Sequence, residues 1–182
     1  MGVSIPVRLS DEEASRLIAV VDAYGKETVL EALAVALAEF LRQYYYSRNF
    51  EPNKRGWPSM GFWGNIAAGT QGTVDGGEAV VSLPYPMRQK IYGGPILPVN
   101  RKYLAWAENA EAYGKKPEEF AGLKVGYFPG LGLVLYLSDG TNKVPMFSLH
   151  KGANQAPDPR ALPSDEEIAQ ALRDAVGSLV LS

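Results

Sequence analysis

Cysteine is absent from this 182-residue sequence, and histidine occurs once, as His150. Without cysteine the chain can form no disulfide, no thiolate nucleophile and no cysteine-ligated zinc or iron–sulfur centre. A single histidine also excludes a histidine-rich metal site within one chain. The sequence therefore predicts neither a metal nor a cofactor. The lack of cysteine fits assembly in a reducing cytoplasm, and a protein that is assembled there and later released would have the same composition.

Catalytic side chains in a recognisable arrangement are also missing. His150 follows a predicted strand without a visible nucleophile or orienting partner, so a strand-terminal histidine is favoured over a general base. The dense carboxylates are Glu108, Glu111, Glu118 and Glu119, which a hydrolase with paired acids would need. Glu118 and Glu119 are adjacent, however, and this favours a solvated turn. We expect the protein not to be an enzyme.

Long hydrophobic runs are missing as well. No stretch reaches the length of about 18 apolar residues that a membrane span needs. The segment Met1–Ser10 lacks the basic and apolar parts of a signal peptide. Hydrophobic residues nevertheless make up 46% of the chain, and the net charge is −2. This composition predicts one soluble domain over residues 1–182, with a core of its own and no membrane contact.

Three helices are predicted from caps and apolar periodicity. The capping box Ser10–Glu13 begins the first, and a second is expected from Lys26 to Tyr46, so residues 1–47 form a helical N-terminal part. A second capping box, Ser164–Glu167, begins a helix over residues 164–181. We expect the apolar face of this last helix to pack on a sheet. That face comprises Ile168, Ala171, Leu172, Ala175, Val176, Leu179 and Val180.

Antiparallel strands are predicted between the helices, over residues 65–150. A hairpin is expected around the turn Asp75–Glu78, and a three-stranded meander over Leu123–Leu149. A long loop, residues 84–122, separates them and contains a short predicted strand, Lys102–Ala107. The pattern predicts an α+β fold, with an antiparallel β-sheet flanked by two N-terminal helices and one C-terminal helix.

Aromatic and basic residues are concentrated in two loops. The first, Arg48–Gly64, carries Arg55, Trp57, Phe62 and Trp63. These side chains could stack on nucleic-acid bases and contact phosphates. The favoured interpretation is that they cap an open end of the core or fill a subunit contact. The second, Tyr85–Phe120, is a long segment too apolar for a linker, and such segments inside compact domains are usually functional. It indicates a surface that binds another macromolecule.

Negatively charged side chains are missing from residues 79–107. This stretch contains no acidic residue, but it carries Arg88, Lys90, Arg101 and Lys102, while acids concentrate at the two capping boxes and in Glu108–Glu119. A surface with separated signs can pair head to tail with a copy of itself. Solvated loop charge explains the same pattern equally well.

Four segments, in this order, carry a resemblance to a known family. They are Arg55-Gly56-Trp57-Pro58 with Phe62-Trp63; Ser82–Tyr85 with Tyr92–Pro98; Lys102–Ala107; and Phe147–Leu149 with Pro157–Pro163 and the terminal helix. The resemblance as a whole covers about residues 30–180. The chain resembles the phage virion-morphogenesis family, which comprises tail-completion and head–tail joining (neck) proteins of tailed phages and prophages.

The resemblance implies a non-catalytic structural protein of the virion, assembled in the host cytoplasm. It implies a tail-terminator-like fold and a ring, commonly a hexamer, around the channel that genomic DNA traverses without sequence-specific binding. The other expected partners are the adjacent neck, connector and tail-tube proteins. The expected interface residues are Arg55, Trp57, Phe62, Trp63, Arg88, Lys90, Tyr92, Gly93, Gly94, Arg101 and Lys102.

The alternative is a nucleic-acid-binding module that uses the aromatic and basic loops. The overall charge argues against this alternative, because dedicated nucleic-acid binders usually have a strongly basic balance, whereas this chain has a net charge of −2 and a pI near 5.5.

Overall fold

The computed structural model describes residues 11–53 and 55–180, and an α+β fold is confirmed for them. The helices are α1 (Asp11–Tyr24), α2 (Lys26–Arg48), α3 (Phe62–Gly69), α4 (Pro86–Tyr92) and α5 (Asp165–Val180), with a 3₁₀ turn at Pro117–Glu119. The strands are β1 (Gln71–Asp75), β2 (Glu78–Ser82), β3 (Gly94–Ile96), β4 (Leu104–Ala107), β5 (Lys124–Phe128), β6 (Gly132–Ser138), β7 (Lys143–His150) and β8 (Ala153–Gln155).

The described residues form two compact units. The first, here called the helical unit, comprises residues 11–51, 61–91 and 158–180 and holds α1, α2, α3, α5, the β1–β2 hairpin and most of α4. The second, here called the sheet unit, comprises residues 52–53, 55–60 and 92–157 and holds the other strands. A single domain over residues 1–182 stays a prediction.

Helix α2 is the platform of the helical unit. Its alanine-rich sequence favours the helix, and its buried positions follow the spacing of one helical face. The helices α1, α3 and α5 and both strands of the hairpin contact α2. The main core cluster of this unit lies along the second half of α2 and consists of Leu41, Tyr45, Ile66, Ala67, Met87 and Ala161.

Helix α5 begins with the predicted capping box. The Glu167 N–H donates to Ser164 Oγ at 3.2 Å, and the Ser164 N–H donates to a Glu167 carboxylate oxygen at 2.8 Å. Ile168 on its apolar face is fully buried. The expectation that this face packs on a sheet is wrong, because α5 packs on α2 and α1. The other predicted capping box, Ser10–Glu13, lies outside the described residues.

The sheet unit is built on a four-stranded antiparallel sheet with the order β4-β7-β6-β5. Between β6 and β7 a bulge lets Leu135 face Phe147 and Tyr136 face Pro145, so that Met146 has no cross-strand partner. Met146 and Phe147 are consecutive, and both are buried with Ala112 in the core of this unit. The strands β3 and β8 form a separate antiparallel pair.

Several details of the predicted sheet region are wrong. The predicted strand region from residue 65 begins instead with α3, a helix that also takes in the end of the first predicted loop. The loop over residues 84–122 contains α4, β3, β4 and the 3₁₀ turn. The strands form three sheets rather than one, and the β1–β2 hairpin lies on α2 in the helical unit. The meander over β5, β6 and β7 and the Asp75–Glu78 turn are confirmed.

Gly72 allows the hairpin to lie directly on α2. A Cβ built at this position would overlap the backbone carbonyl of Ala34 and press on the Ala38 methyl group. No side chain fits between this strand and the helix unless the backbone moves. Gly177 in α5 is the opposite case, since a Cβ there would meet no atom within 4 Å.

These two glycines give a matched pair of substitutions. We expect Gly72→Ala to destabilise the protein by about 1–3 kcal/mol, because overpacking forces backbone shifts. Gly177→Ala should stabilise it by about 0.5–1 kcal/mol, because alanine lowers the entropy cost of ordering a helix. Denaturant unfolding followed by circular dichroism measures both changes. A Gly72→Ala variant as stable as the original protein would contradict the close approach of β1 to α2.

Candidate functional surfaces

A buried guanidinium holds together three distant parts of the helical unit. Arg48, at the end of α2, is 5% exposed and lies over the Trp63 ring of α3, 3.7 Å from its centroid. Its guanidinium pairs with Asp158 at 3.1 Å and donates to the Arg160 carbonyl. Within the described chain, Arg48 Nε has no hydrogen-bond partner. The cation thus fixes the segment that enters α5 against α2 and α3.

Two tyrosines of α2 strengthen this connection. The Tyr45 hydroxyl donates to the Ala161 carbonyl at 3.1 Å, and the Tyr44 hydroxyl donates to the Arg160 carbonyl at 2.9 Å. Burial raises the pKa of Tyr45 above its usual value, so the residue acts here as a neutral donor. Tyr45 is buried and Tyr46 is exposed, as expected for consecutive residues of a helix.

The predicted interface residues Phe62, Trp63 and Lys90 come together in the helical unit. Phe62 and Trp63 are partly buried against its core, where Trp63 stacks on Tyr45 with ring centroids 5.8 Å apart. The Lys90 ammonium lies 5.2 Å from the Phe62 ring centroid. In this chain the two rings therefore pack against the core of their own unit and are only partly exposed.

Arg55 and Trp57 form a second cluster, in the sheet unit. The Arg55 guanidinium donates to the Ala107 carbonyl at 2.9 Å and to the Glu108 carboxylate at 3.2 Å. It lies 5.1 Å from the Trp57 ring centroid, and Trp57 in turn contacts Tyr113. Both predicted interface side chains are therefore already bound to their own unit.

Gly93 and Gly94 serve the β3–β8 pair. Both have positive φ, and a Cβ at Gly93 would crowd the Gln155 carbonyl and the Pro157 ring. Gly94 faces Gln155 in the register of this pair. The glycines thus allow a sharp turn into a close backbone contact within the sheet unit, which is a structural role independent of any partner.

The other predicted interface residues are exposed. Arg88 and Tyr92 project from α4, and Lys102 lies with its ammonium 5.6 Å from the Tyr103 ring centroid. Arg101 pairs with Glu118, and the hydrogen bond from this guanidinium lowers the pKa of the Glu118 carboxyl. Arg101 and Glu118 thus partly neutralise each other.

Three of the four dense carboxylates have separate structural partners. Glu108 pairs with Arg55, Glu118 pairs with Arg101, and a Glu119 carboxylate oxygen accepts the Lys116 N–H at 2.6 Å. These contacts give the acidic side chains a structural role, because they stabilise the loop and the 3₁₀ turn of their own segment.

A serine–histidine contact was not predicted from the sequence. His150 Nε2 lies 2.9 Å from Ser148 Oγ, and the His150 ring contacts Trp106. The sequence nevertheless contained a signal for it. Ser148 and His150 are two residues apart on β7, and this spacing places both side chains on one face of the strand. Ser148 is fully buried, so a substrate cannot approach its hydroxyl in this conformation.

Residues 11–53 and 55–180 contain neither a metal-binding group nor a membrane-spanning helix. Among these residues no group of three or more potential ligands could hold a metal ion. No helix in the same ranges has the length and apolar character needed to cross a bilayer.

No family model, no curated protein and no solved structure matches this chain.

Charge is divided between the two units. The described part of the helical unit contains fifteen acidic and eight basic residues. The described part of the sheet unit contains five acidic and eight basic residues. One chain therefore carries an acidic unit and a basic unit. This separation of charge extends well beyond residues 79–107, where the sequence first indicated it.

The Arg48–Asp158 pair predicts a pH dependence of stability. Burial alone would raise the pKa of Asp158, but hydrogen bonds from the Arg160 N–H and from Arg48 outweigh burial and lower this pKa below its usual value. A carboxyl whose pKa is depressed in the folded state contributes stability above its unfolded pKa and loses it as the pH falls through the folded pKa. The contribution should therefore be complete at pH 7 and disappear below about pH 4.

We expect Asp158→Asn to destabilise the protein at pH 7 by about 1.5–3 kcal/mol, because a charged hydrogen bond is lost. The variant should also lose less stability than the original protein between pH 7 and pH 3. Urea unfolding at several pH values measures both effects. In an Arg48→Met background, Asp158→Asn should cost less, because only the interaction of the carboxylate with the Arg160 N–H is then altered. Equal acid sensitivity with and without Asp158 would refute this assignment.

Proposed function

We propose that this chain is a structural protein of a tailed-phage virion. Copies of it form a ring, of six subunits, in the neck or tail-completion region, where the ring joins head and tail around the DNA channel. The ordered motifs that resemble the virion-morphogenesis family support this proposal, and the α+β fold is compatible with it. The observation that carries it is a group of exposed apolar side chains in the long loop, for which the sequence predicts contacts with another macromolecule.

This exposed segment follows β2 and continues past β3. Tyr85 is 82% exposed, Tyr92 58%, Leu97 65% and Val99 92%. Single exposed apolar residues are common on protein surfaces, but Tyr92, Leu97 and Val99 lie within eight residues of the sheet unit, and several large ones so close together are a feature of interaction sites. In a ring these side chains would be buried against a neighbouring subunit.

The nucleic-acid-binding alternative has less support. Its aromatic and basic side chains are the same Arg55, Trp57 and Trp63 that contact their own unit. Base stacking needs accessible ring faces, and the Trp63 ring already stacks on Tyr45 and contacts the Arg48 guanidinium. DNA would instead pass through the lumen of the ring without specific contacts.

The ring predicts a mass six times that of the 19.8 kDa chain. Light scattering coupled to size exclusion at high protein concentration measures it. We expect Leu97→Asp combined with Val99→Asp to abolish assembly, because two buried apolar contacts would become charged. Val125→Asp, which alters an exposed apolar residue of β5, serves as the control and should assemble normally.

Salt separates the two functions. Phosphate contacts release counterions, so DNA binding weakens steeply with salt, whereas an assembly with an apolar centre persists. A strict monomer that also stays unassembled in purified virions would contradict the ring. Tight, salt-sensitive binding of short DNA by that monomer would establish the alternative.

A further inference from the structure

An acidic stripe runs along the outer face of α2. Glu27, Glu31, Val35 and Glu39 follow one another at intervals of four residues, so they lie in one row on the helix. All four are exposed, and Val35 is 60% exposed. The row, here called the α2 stripe, presents one apolar side chain among three carboxylates.

The α2 stripe is unlike an ordinary solvated helix face. Glu27 and Glu31 are like charges at i, i+4, an arrangement that weakens a helix by a few tenths of a kcal/mol. Glu39 has a cation nearby, since it pairs with Arg42 at 3.1 Å. The first half of the stripe therefore concentrates negative charge, and a cation from another molecule would relieve that repulsion.

A complementary segment lies in the sheet unit between β3 and β4. Leu97 and Val99 are exposed apolar residues, and Arg101 and Lys102 are exposed cations. This run, here called the 97–102 segment, also contains Pro98, which limits its flexibility. Arg101 is paired with Glu118, so Lys102 supplies most of the net positive charge of the 97–102 segment.

The two surfaces match in charge, polarity and length. The α2 stripe spans about 18 Å at the rise of an α-helix. The 97–102 segment spans at most about 17 Å when extended. Each combines charge of one sign with apolar side chains, and the signs are opposite. The same opposition holds for the whole units, because the helical unit is acidic and the sheet unit is basic.

We propose that the α2 stripe of one copy binds the 97–102 segment of a second copy. This inference rests on the proposed function and names the two surfaces that meet in the ring. The contact is head to tail, because the two surfaces differ and every copy carries one of each. Such heterologous contacts form rings when the rotation between neighbours closes. Two acidic stripes would repel each other, and this disfavours the symmetric stripe-to-stripe dimer.

Charge reversal tests the contact directly. Glu31→Lys gives a chain whose stripe and segment both carry a lysine at the contact, and Lys102→Glu gives a chain in which both carry a glutamate. We expect each variant alone to associate at least tenfold more weakly than the original protein, because like charges would face each other. Native mass spectrometry and sedimentation at low salt measure the association.

A 1:1 mixture of the two variants should restore association. In an alternating order, the two substituted side chains, which have opposite charges, would face each other at one contact, and the unaltered Glu31 and Lys102 would face each other at the next. The double variant, Glu31→Lys with Lys102→Glu, should also associate by itself. Both substituted positions are exposed, and Glu31→Lys removes a like-charge pair from α2, so the variants should fold.

Two control reversals separate this contact from the overall charge. Glu78→Lys in the β1–β2 turn and Lys151→Glu after β7 change the same units by the same charge at other exposed positions. Both should associate as the original protein does. Equal weakening by the controls, or failure of the mixture to associate, would overturn the proposed contact.

The result also separates this inference from the ring itself. A ring that forms normally with Glu31→Lys and with Lys102→Glu retains the proposed function and rejects these two surfaces. An original protein that associates neither in solution, at low salt and high concentration, nor in purified virions rejects both.

Discussion

The helical unit depends on one buried cation. Removing a guanidinium from water is costly, and an apolar residue of similar size would often be as stable. Arg48 offsets this cost with three different contacts: the carboxylate of Asp158, the carbonyl of Arg160 and the ring of Trp63. These partners come from the loop before α5 and from α3, so one side chain specifies how three segments meet. A hydrophobic residue could fill the same space, but it could not donate a hydrogen bond to the Arg160 carbonyl and so fix the position of that segment.

The sequence predicts elements that are specified locally. The capping box at Ser164, the period of α2 and the Asp75–Glu78 turn each act within a few residues, and the corresponding elements are present. Helix α3 was missed because Gly64 and Gly69 lower its propensity, and the burial of Ile66 and Ala67 on α2 compensates. The β3–β8 pair was missed because three-residue strands lack a readable period and their pairing is distant in the chain.

For the candidate surfaces too, the sequence indicates local features but not contacts between distant segments. Trp63 and Phe62 were selected from the sequence as loop aromatics that cap the core or fill a subunit contact, but the sequence did not show that they pack near α2 and Lys90. Arg48 was not selected, although a signal existed: it continues the spacing of Ala38, Leu41 and Tyr45 on the buried face. A charged residue on an apolar stripe indicates either a frayed helix end or a buried partner. The partner, Asp158, lies 110 residues away, beyond the reach of any local pattern.

The inner face of α2 contributes to the stability of its unit, and the outer face carries the proposed assembly contact. Its inner face is fixed by the hairpin at Gly72 and by the Arg48 contacts, both of which lock the helix against elements of its own unit. A surface on such an anchored helix loses little conformational freedom when a partner binds, so more of the contact energy is retained. Three acidic residues of the helical unit, Glu27, Glu31 and Glu39, lie on the outer face, and a basic surplus lies in the other unit of the same chain. In the proposed contact each copy would bind its neighbour in one direction only, as a ring built from heterologous contacts requires.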